Sequence, residues 1–364
     1  MQQSLKKIPA IVTDIGGVLL RHKTAIPKVP DTVRLLKTKL KDLDPQQFPN
    51  DESRIPFLCL TNDGEHLEKV KAEFLNGVLG LEKENEKFTS DDVLVNFTAL
   101  RPVMKDYQDR LVIVSGDGDM HKTAKECGLT KFITLEEYSC LHPNMVPVSK
   151  LAKSGSVEEM RKIIGERLNI SDQSVFDKAL QVHAIFILND PPYWYEYTQI
   201  ICDLLTTHNG NVAEKLPNQI PDQHIPIYTT NNDLVYPGPY HLPRFTLGAF
   251  TECLKHIYKQ YFHKDLHVNL YGKPYETTFK YAEKYLHELA NRELSNIYMI
   301  GDNPHGDVRG AKKLGWRTIL VETGVFQKYD GIENDPTDPA DYVVKDFNEA
   351  IKLIFSLEKI NTKI

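Results

Sequence analysis

Short runs of consecutive apolar residues recur along the chain, and each ends abruptly in a polar or glycine-containing turn. Strands that are apolar on both faces are typical of a parallel sheet that helices cover on both sides. Between these runs, apolar residues recur at helical spacing, as at Leu67, Val70 and Phe74. The alternation predicts an α/β fold with doubly wound parallel sheets, in which ligands bind at the carboxyl ends of strands. The predicted strands are 11–14, 57–61, 111–115, 185–188, 227–230, 297–300 and 318–321.

The length fits two domains, because 364 residues exceed the roughly 150 residues of a typical single domain. Polar stretches at 82–92 and 208–223 bracket a middle segment. We therefore expect a second α/β unit inserted into the first. The expected division is a core of residues 1–84 and 236–364 and an inserted unit of residues 85–235.

Charge and hydrophobicity exclude several classes of partner. The chain has 44 Lys and Arg against 50 Asp and Glu, a net charge of -6, and no long block of like charge. Nucleic-acid binders and proteins of anionic membrane surfaces depend on clustered Lys and Arg, so neither class is expected. The longest apolar runs have the length of strands, and no transmembrane segment is predicted.

The cysteines and the N-terminus bear on the cellular compartment. Five cysteines lie scattered with no CxxC pair, which argues against a disulfide framework or a thiolate metal site. The first predicted strand begins within about ten residues of the N-terminus, which leaves no room for a signal peptide. Either the protein is cytosolic or a presequence has been removed.

Acidic residues follow two of the predicted strands. Asp14 ends the first strand, while Asp302 and Asp307 lie in the turn after strand 297–300. Because the carboxyl ends of parallel strands meet at one edge of a sheet, these carboxylates are expected to converge. Converging carboxylates favour a hard cation such as Mg²⁺. Asp14 is accordingly predicted to be a metal ligand, a nucleophile or both.

A second group of residues suits a phosphate. Thr61 and Asn62 follow another strand and offer a hydroxyl and an amide, and Lys273 stands in a Gly-Lys-Pro turn before a predicted helix. Ammonium, hydroxyl and the free N–H groups of a helix N-terminus all bind anions. Each signal alone is weak, since an Asp after a strand is commonly a helix cap and Gly-Lys-Pro is commonly a turn.

In this order and at these spacings, the motifs resemble the four motifs of the haloacid dehalogenase superfamily, and the long insert resembles its class II cap. The resemblance implies a Rossmann-like core with an inserted α/β C2-type cap. Within class IIA, nearly the whole chain is similar to the mitochondrial hydrolase-like subfamily named after cat-eye-syndrome-critical-region protein five. This implies a mitochondrial location, with the cytoplasm as the alternative. The segments that carry the similarity are 18–21, 60–62, 186–191 with Trp194, 244–250, 271–274, 301–304, 310–311, 315–316 and 323–326.

The resemblance also implies an activity, a Mg²⁺-dependent phosphatase that passes through an aspartyl-phosphate and acts on a small phosphorylated metabolite. The implied catalytic residues are Asp14, the nucleophile, and Lys273. The implied phosphate-binding residues are Thr61, Asn62 and Lys273. The implied metal ligands are Asp14, Asp302, Asp307 and the backbone carbonyl of Gly16.

Gly16 departs from the family pattern. Active phosphatases of this class carry a second aspartate two residues after the nucleophile, which protonates the leaving group. Because general acid–base help is worth roughly 10²–10⁴ in rate, its loss is expected to slow turnover of poor leaving groups while sparing aryl phosphates. The alternative is a catalytically degenerate member that serves as a binding or structural subunit of a larger, mitochondrial assembly with protein partners.

Other positions near the motifs are open to two interpretations. Asp63 stands where the subfamily has glycine, and a carboxylate facing the phosphate would cost on the order of 1–4 kcal/mol unless it turns outward. His22 and His305 are candidate replacement acids, although a lone histidine is more often solvated or packed.

Three residues of the inserted unit have the same ambiguity. Asn189, Asp190 and Trp194 either face the site or serve local structure, with the first two capping a helix over 195–205. The Tyr193-Trp194-Tyr195 cluster is expected to be packing rather than a substrate platform.

Overall fold

The computed structural model describes residues 5–64, 66–149, 156–177, 180–207, 220–236, 240, 242, 244–328 and 332–362. These residues form two compact units. The first unit draws on Met1–Ala99, Pro237–Leu242 and Gly272–Ile364, and the second on Leu100–Tyr236 and Pro243–Tyr271. Each unit is built on its own parallel sheet.

The strands begin and end as follows: β1 Ile8–Thr13, β2 Leu20–Arg21, β3 Thr24–Ala25, β4 Phe57–Leu60, β5 Val93–Leu94, β6 Val112–Ser115, β7 Phe132–Thr134, β8 Ile185–Ile187, β9 Ile227–Thr229, β10 Val235–Tyr236, β11 Arg244–Phe245, β12 Val268–Leu270, β13 Leu294–Gly301, β14 Arg317–Val321 and β15 Tyr342–Val344. The helices are α1 Val29–Leu36, α2 Leu40–Leu43, α3 Glu68–Leu79, α4 Arg101–Lys105, α5 Met120–Glu126, α6 Leu135–Leu141, α7 Val157–Leu168, α8 Trp194–Thr206, α9 Leu247–Phe262, α10 Glu276–Ala290, α11 Arg309–Lys313 and α12 Phe347–Leu357.

The first unit contains a six-stranded parallel sheet in the order β15-β14-β13-β1-β4-β5. Every residue of β1 is buried, as a central strand covered on both faces requires. On one face, α10 packs through Phe279 against α11, where the ring leaves no room for a side chain at Gly310. On the other face, Phe347 of α12 packs against Phe57 of β4.

The second unit contains a five-stranded parallel sheet in the order β12-β9-β8-β6-β7. The side chains of β8 alternate between its faces. Ile185 and Ile187 join the apolar core formed with α6, α8 and α9, whereas the Phe186 ring stacks on Tyr228 with ring centroids 5.0 Å apart. Short antiparallel pairs, β2–β3 and β10–β11, lie outside the two parallel sheets.

The α/β fold with two parallel sheets is confirmed, and all seven predicted strands are found. The strands before Asp14, Thr61 and Asp302 share the first sheet, and those at 111–115 and 185–188 belong to the second. The chain passes from the first unit to the second near residues 99–100 and from the second to the first near residues 271–272. Both positions lie later in the chain than the expected boundaries at 84–85 and 235–236. The reason is that β5 pairs with β4 in the first sheet, whereas β12 pairs with β9 in the second.

All five cysteines are free; four are buried and Cys253 is exposed. None of the helices in the described ranges is long and apolar enough to cross a membrane.

Candidate active site

Asp14 lies at the carboxyl end of the central strand of the first sheet. Strand β1 pairs with β13 on one side and with β4 on the other, and the Asp14 backbone N–H continues the ladder by donating to the Ile300 carbonyl at 2.9 Å. The residues that follow β4 and β13 therefore emerge beside Asp14. The site is built entirely from segments of the first unit.

The Lys273 ammonium lies between two carboxylates. Its Nζ is 3.0 Å from Asp14 Oδ1 and 2.7 Å from Asp307 Oδ1, and its side chain is only 4% exposed. Burial alone would lower the pKa of Lys273, but the two carboxylates raise it above its ordinary value. The lysine therefore keeps its proton and serves as a fixed positive charge beside Asp14.

Asp302 and Asp307 complete a buried acidic cluster. Asp307 is held in a π-helical turn, Pro304–Val308, and its Oδ2 accepts the Asn303 N–H at 3.1 Å. Burial raises the pKa of Asp307 to about 6, although Lys273 opposes the shift. Burial and the charges of Asp14 and Asp307 raise the pKa of Asp302 well above its ordinary value. Three carboxyl groups thus face the single ammonium of Lys273.

The cluster fits a divalent cation. Carboxylate oxygens of Asp14, Asp302 and Asp307 all lie within 4.8 Å of one another. An all-oxygen, anionic donor set matches Mg²⁺ and similar hard ions. A cation there would relieve the repulsion that raises the two pKa values.

Glycines shape the space around Asp302. A Cβ at Gly324 would lie 1.9 Å from Asp302 Oδ2, and one at Gly17, where φ is +71°, would lie 2.2 Å from the same atom. The Val325 N–H donates to that oxygen at 2.7 Å. At Gly16, by contrast, an added Cβ meets no atom within 4 Å. The backbone therefore closes around Asp302 but leaves position 16 open.

We expect Gly324→Ala to displace the Asp302 carboxylate and to destabilise the fold by about 1–3 kcal/mol, as overpacking does. Thermal unfolding with and without Mg²⁺ measures both effects: the stabilisation by Mg²⁺ should vanish in Gly324→Ala. Gly16→Ala is the matched control and should keep it, because the new methyl group has room. Equal Mg²⁺ responses from the two variants would show that Asp302 does not contribute to a cation site.

The loop after β4 brings Thr61 and Asn62 to the same edge of the sheet. Thr61 is buried, and its Oγ1 accepts the Asp63 N–H at 3.2 Å, which leaves the hydroxyl proton available as a donor. The Asn62 side chain pairs with both backbone groups of Lys273. The loop and the lysine turn are thus joined directly.

Asp63 is directed to a lysine of the following helix. The Lys71 ammonium, from α3, forms an ion pair with the Asp63 carboxylate, which is 48% exposed while the lysine side chain is buried. This partner could not be predicted from the sequence, because Lys71 lies in a helical pattern like any surface lysine. The charge of Lys71 compensates that of the Asp63 carboxylate.

The two histidines considered as acids lie in different settings. His22, at the tip of the β2–β3 hairpin with a φ of 54°, is exposed. His305 Nδ1 is 2.6 Å from Asp338 Oδ2, and Asp335 completes a second set of potential metal ligands. The Arg309 guanidinium already donates to both oxygens of Asp338, at 2.9 and 2.6 Å. His305 is therefore part of a surface ion-pair network.

In the second unit, Asp190 serves local structure. Its Oδ1 accepts the Leu247 N–H at 2.6 Å and the Thr246 hydroxyl. It therefore caps the N-terminus of α9. Trp194 packs against Phe250, with ring centroids 5.6 Å apart, as the packing interpretation expects.

Comparison with known proteins finds similar families and relatives. A family model described as haloacid dehalogenase-like hydrolase matches residues 11–130, and a second one, HAD-hydrolase-like, matches residues 270–350. A cardiolipin synthase (CMP-forming)/mitochondrial hydrolase fusion protein of Schizosaccharomyces pombe is 30% identical over 349 residues, which are 94% of this chain and 52% of the fusion protein. The chain thus spans about half the length of that relative. A mitochondrial hydrolase of Saccharomyces cerevisiae is 26% identical over 376 residues, 96% of each chain.

Solved structures share the fold. A p-nitrophenyl phosphatase from Archaeoglobus fulgidus has a TM-score of 0.57 at 15% identity, covering 96% of this chain and 100% of that one. NagD from Escherichia coli has a TM-score of 0.55 at 15% identity, covering 94% and 98%. The chain belongs to the haloacid dehalogenase superfamily of hydrolases. NagD and the other solved structures share its fold, and the fungal mitochondrial hydrolases are similar to it over nearly its whole length.

Proposed function

We propose that the protein is a Mg²⁺-dependent phosphomonoesterase that passes the phosphoryl group of a small metabolite to Asp14 and then to water. The observation that carries this proposal is the buried Lys273 ammonium, 3.0 Å from Asp14 and 2.7 Å from Asp307. Phosphoryl transfer needs positioning and charge neutralisation more than covalent help. A fixed cation beside a carboxylate nucleophile supplies both.

The chain's own residues account for the steps. An Asp14 carboxylate oxygen attacks phosphorus; the new O–P bond forms as the bond to the leaving oxygen breaks, and that oxygen takes the electron pair. Lys273 and the Thr61 hydroxyl hold the phosphoryl oxygens. Asp14, Asp302, Asp307 and the Gly16 carbonyl would hold a Mg²⁺ ion, which when bound would supply positive charge for the developing oxyanions. Attack by water at phosphorus then releases phosphate and restores the Asp14 carboxylate.

Gly16 limits this chemistry. Because no side chain at position 16 protonates the leaving oxygen, substrates must have leaving groups that are stable as anions, such as aryl phosphates. We therefore infer a weakened phosphatase, slow with alkyl phosphates. The ion pair between Asp63 and Lys71 favours an active phosphate site, since it keeps the Asp63 charge compensated.

The names of the fungal relatives support a mitochondrial location for the protein. The phosphatase name of the archaeal structural neighbour supports a phosphorylated substrate.

A second candidate function rests on Gly16 alone. A catalytically degenerate member that serves as a structural or binding subunit would also lack an acid at position 16. This candidate predicts that restoring the acid changes nothing.

Mg²⁺ uptake should depend on pH. A cation must displace the proton that Asp307 retains below its raised pKa of about 6. We therefore expect the Mg²⁺ affinity to fall, by up to about tenfold per pH unit, as the pH drops below 6. Calorimetric titration at about pH 5 and about pH 8 measures the change. Affinity that is constant over this range would contradict a site built on Asp307.

The proposal is tested with a panel of aryl and alkyl phosphates, with Mg²⁺ and after chelation, on the wild type and Asp302→Asn. We expect aryl phosphate hydrolysis that requires Mg²⁺ and is lost in the variant. Metal-independent hydrolysis, or none with any aryl phosphate, would overturn the proposal.

A further inference from the structure

The side chain of Asn62 binds the backbone of Lys273 through two hydrogen bonds. Its Oδ1 accepts the Lys273 N–H at 2.7 Å, and its Nδ2 donates to the Lys273 carbonyl at 3.0 Å. The two residues are 211 positions apart in the chain. One side chain, adjacent to Thr61, thus satisfies both backbone groups of the lysine.

The position of the Lys273 backbone determines where its ammonium lies. A lysine side chain is a long, flexible stem, and the ammonium here must remain near both Asp14 and Asp307. A displacement of about 1 Å in a catalytic group can cost on the order of 10²-fold in rate. The turn that carries Lys273 therefore needs an anchor, and the two bonds from Asn62 provide it.

We propose that Asn62 is a positioning residue that acts on the phosphoryl group through Lys273, instead of contacting the phosphate as the family resemblance implies. The proposal rests on the proposed phosphatase function. Because Asn62 directly follows Thr61, it couples the hydroxyl and the ammonium that hold the same phosphoryl group. The loop that contains Thr61 and the turn that carries Lys273 are then held at a constant distance from each other.

The chain offers a matched control for this arrangement. Asn76, in α3, makes the same pair of bonds to the backbone of Phe88, with Oδ1 accepting at 2.8 Å and Nδ2 donating at 2.9 Å. Both asparagines belong to the first unit and both are half-buried. Alanine at either position removes this pair of side chain–backbone bonds, and at position 62 the pair holds a site residue.

The test compares Asn62→Ala and Asn76→Ala in p-nitrophenyl phosphate hydrolysis with Mg²⁺. We expect both variants to lose comparable thermal stability. Asn62→Ala should lower kcat by about 10- to 100-fold and should raise KM, because the displaced Lys273 also holds the bound phosphoryl group less well. Asn76→Ala should leave kcat and KM within about twofold. Amide hydrogen exchange should show lost protection at Lys273 in the first variant and at Phe88 in the second.

A double-mutant cycle with Lys273→Ala separates positioning from direct contact. If Asn62 acts through Lys273, Asn62→Ala has no further effect on kcat once the lysine is gone. An equal loss in both backgrounds, or an Asn62→Ala variant that matches Asn76→Ala, would overturn the positioning role while leaving the phosphatase function intact. A wild type without any hydrolysis would instead overturn the proposed function, and the positioning role with it.

Discussion

Asparagine in place of Asp14 is expected to abolish phosphatase activity, with a loss on the order of 10⁴-fold or more, because it removes the nucleophile and not merely a supporting contact. Asparagine has nearly the shape of aspartate, so the fold should survive. The loss of one charge should also relieve the repulsion that raises the pKa of Asp302. Hydrolysis of p-nitrophenyl phosphate measures the effect.

The control for Asp14→Asn is its stability. Thermal unfolding without metal should show a melting temperature no lower than that of the wild type. An inactive variant that is also unfolded would not count as support, whereas a folded variant with more than a tenth of wild-type activity would exclude Asp14 as the nucleophile.

Placing an acid at position 16 by Gly16→Asp should produce the largest gain in phosphatase activity. The expected increase is on the order of 10²–10⁴-fold for alkyl phosphates and much smaller for p-nitrophenyl phosphate, whose leaving group needs little protonation. The backbone at position 16 accepts a Cβ, which meets nothing within 4 Å. Ratios of kcat/KM for the two substrate classes measure the effect.

Two controls accompany Gly16→Asp. The gain should vanish when Asp14→Asn is added, because a proton donor is useless without the nucleophile that it serves. Gly16→Asn has similar size without the acid and should give no gain. If Gly16→Asp raises kcat/KM for neither substrate class, the protein is better regarded as a catalytically degenerate member that serves as a binding or structural subunit.

The sequence revealed the central strands but not those at the sheet edges. The seven predicted strands lie in runs rich in apolar and β-branched residues, whereas the strands that the prediction missed in the two parallel sheets are β5 and β15 at the edges of the first and β7 and β12 at the edges of the second. Each is only two or three residues long. Edge strands are covered less completely, so a continuous apolar run is not required of them.

The acidic cluster could be predicted from the topology of the parallel sheet. Parallel strands deliver their carboxyl ends to one edge, so Asp14, Asp302 and Asp307 converge whatever the details of the loops. The side chains that bind or neutralise the site residues could not be predicted. Asn62 and Lys273 are distant in the chain, and the pairing of Asp63 with Lys71 depends on how α3 packs.

The central claim is that Asp14 receives the phosphoryl group, and trapping that group on the protein tests it most directly. Protein mixed with an aryl phosphate and Mg²⁺, quenched, and reduced with borohydride should contain homoserine at position 14, because borohydride reduces an acyl phosphate but not a carboxylate. We expect this product with Mg²⁺, none after chelation, and none in Asp302→Asn. Substrate hydrolysis without modification of Asp14, or modification at another residue, would contradict the account.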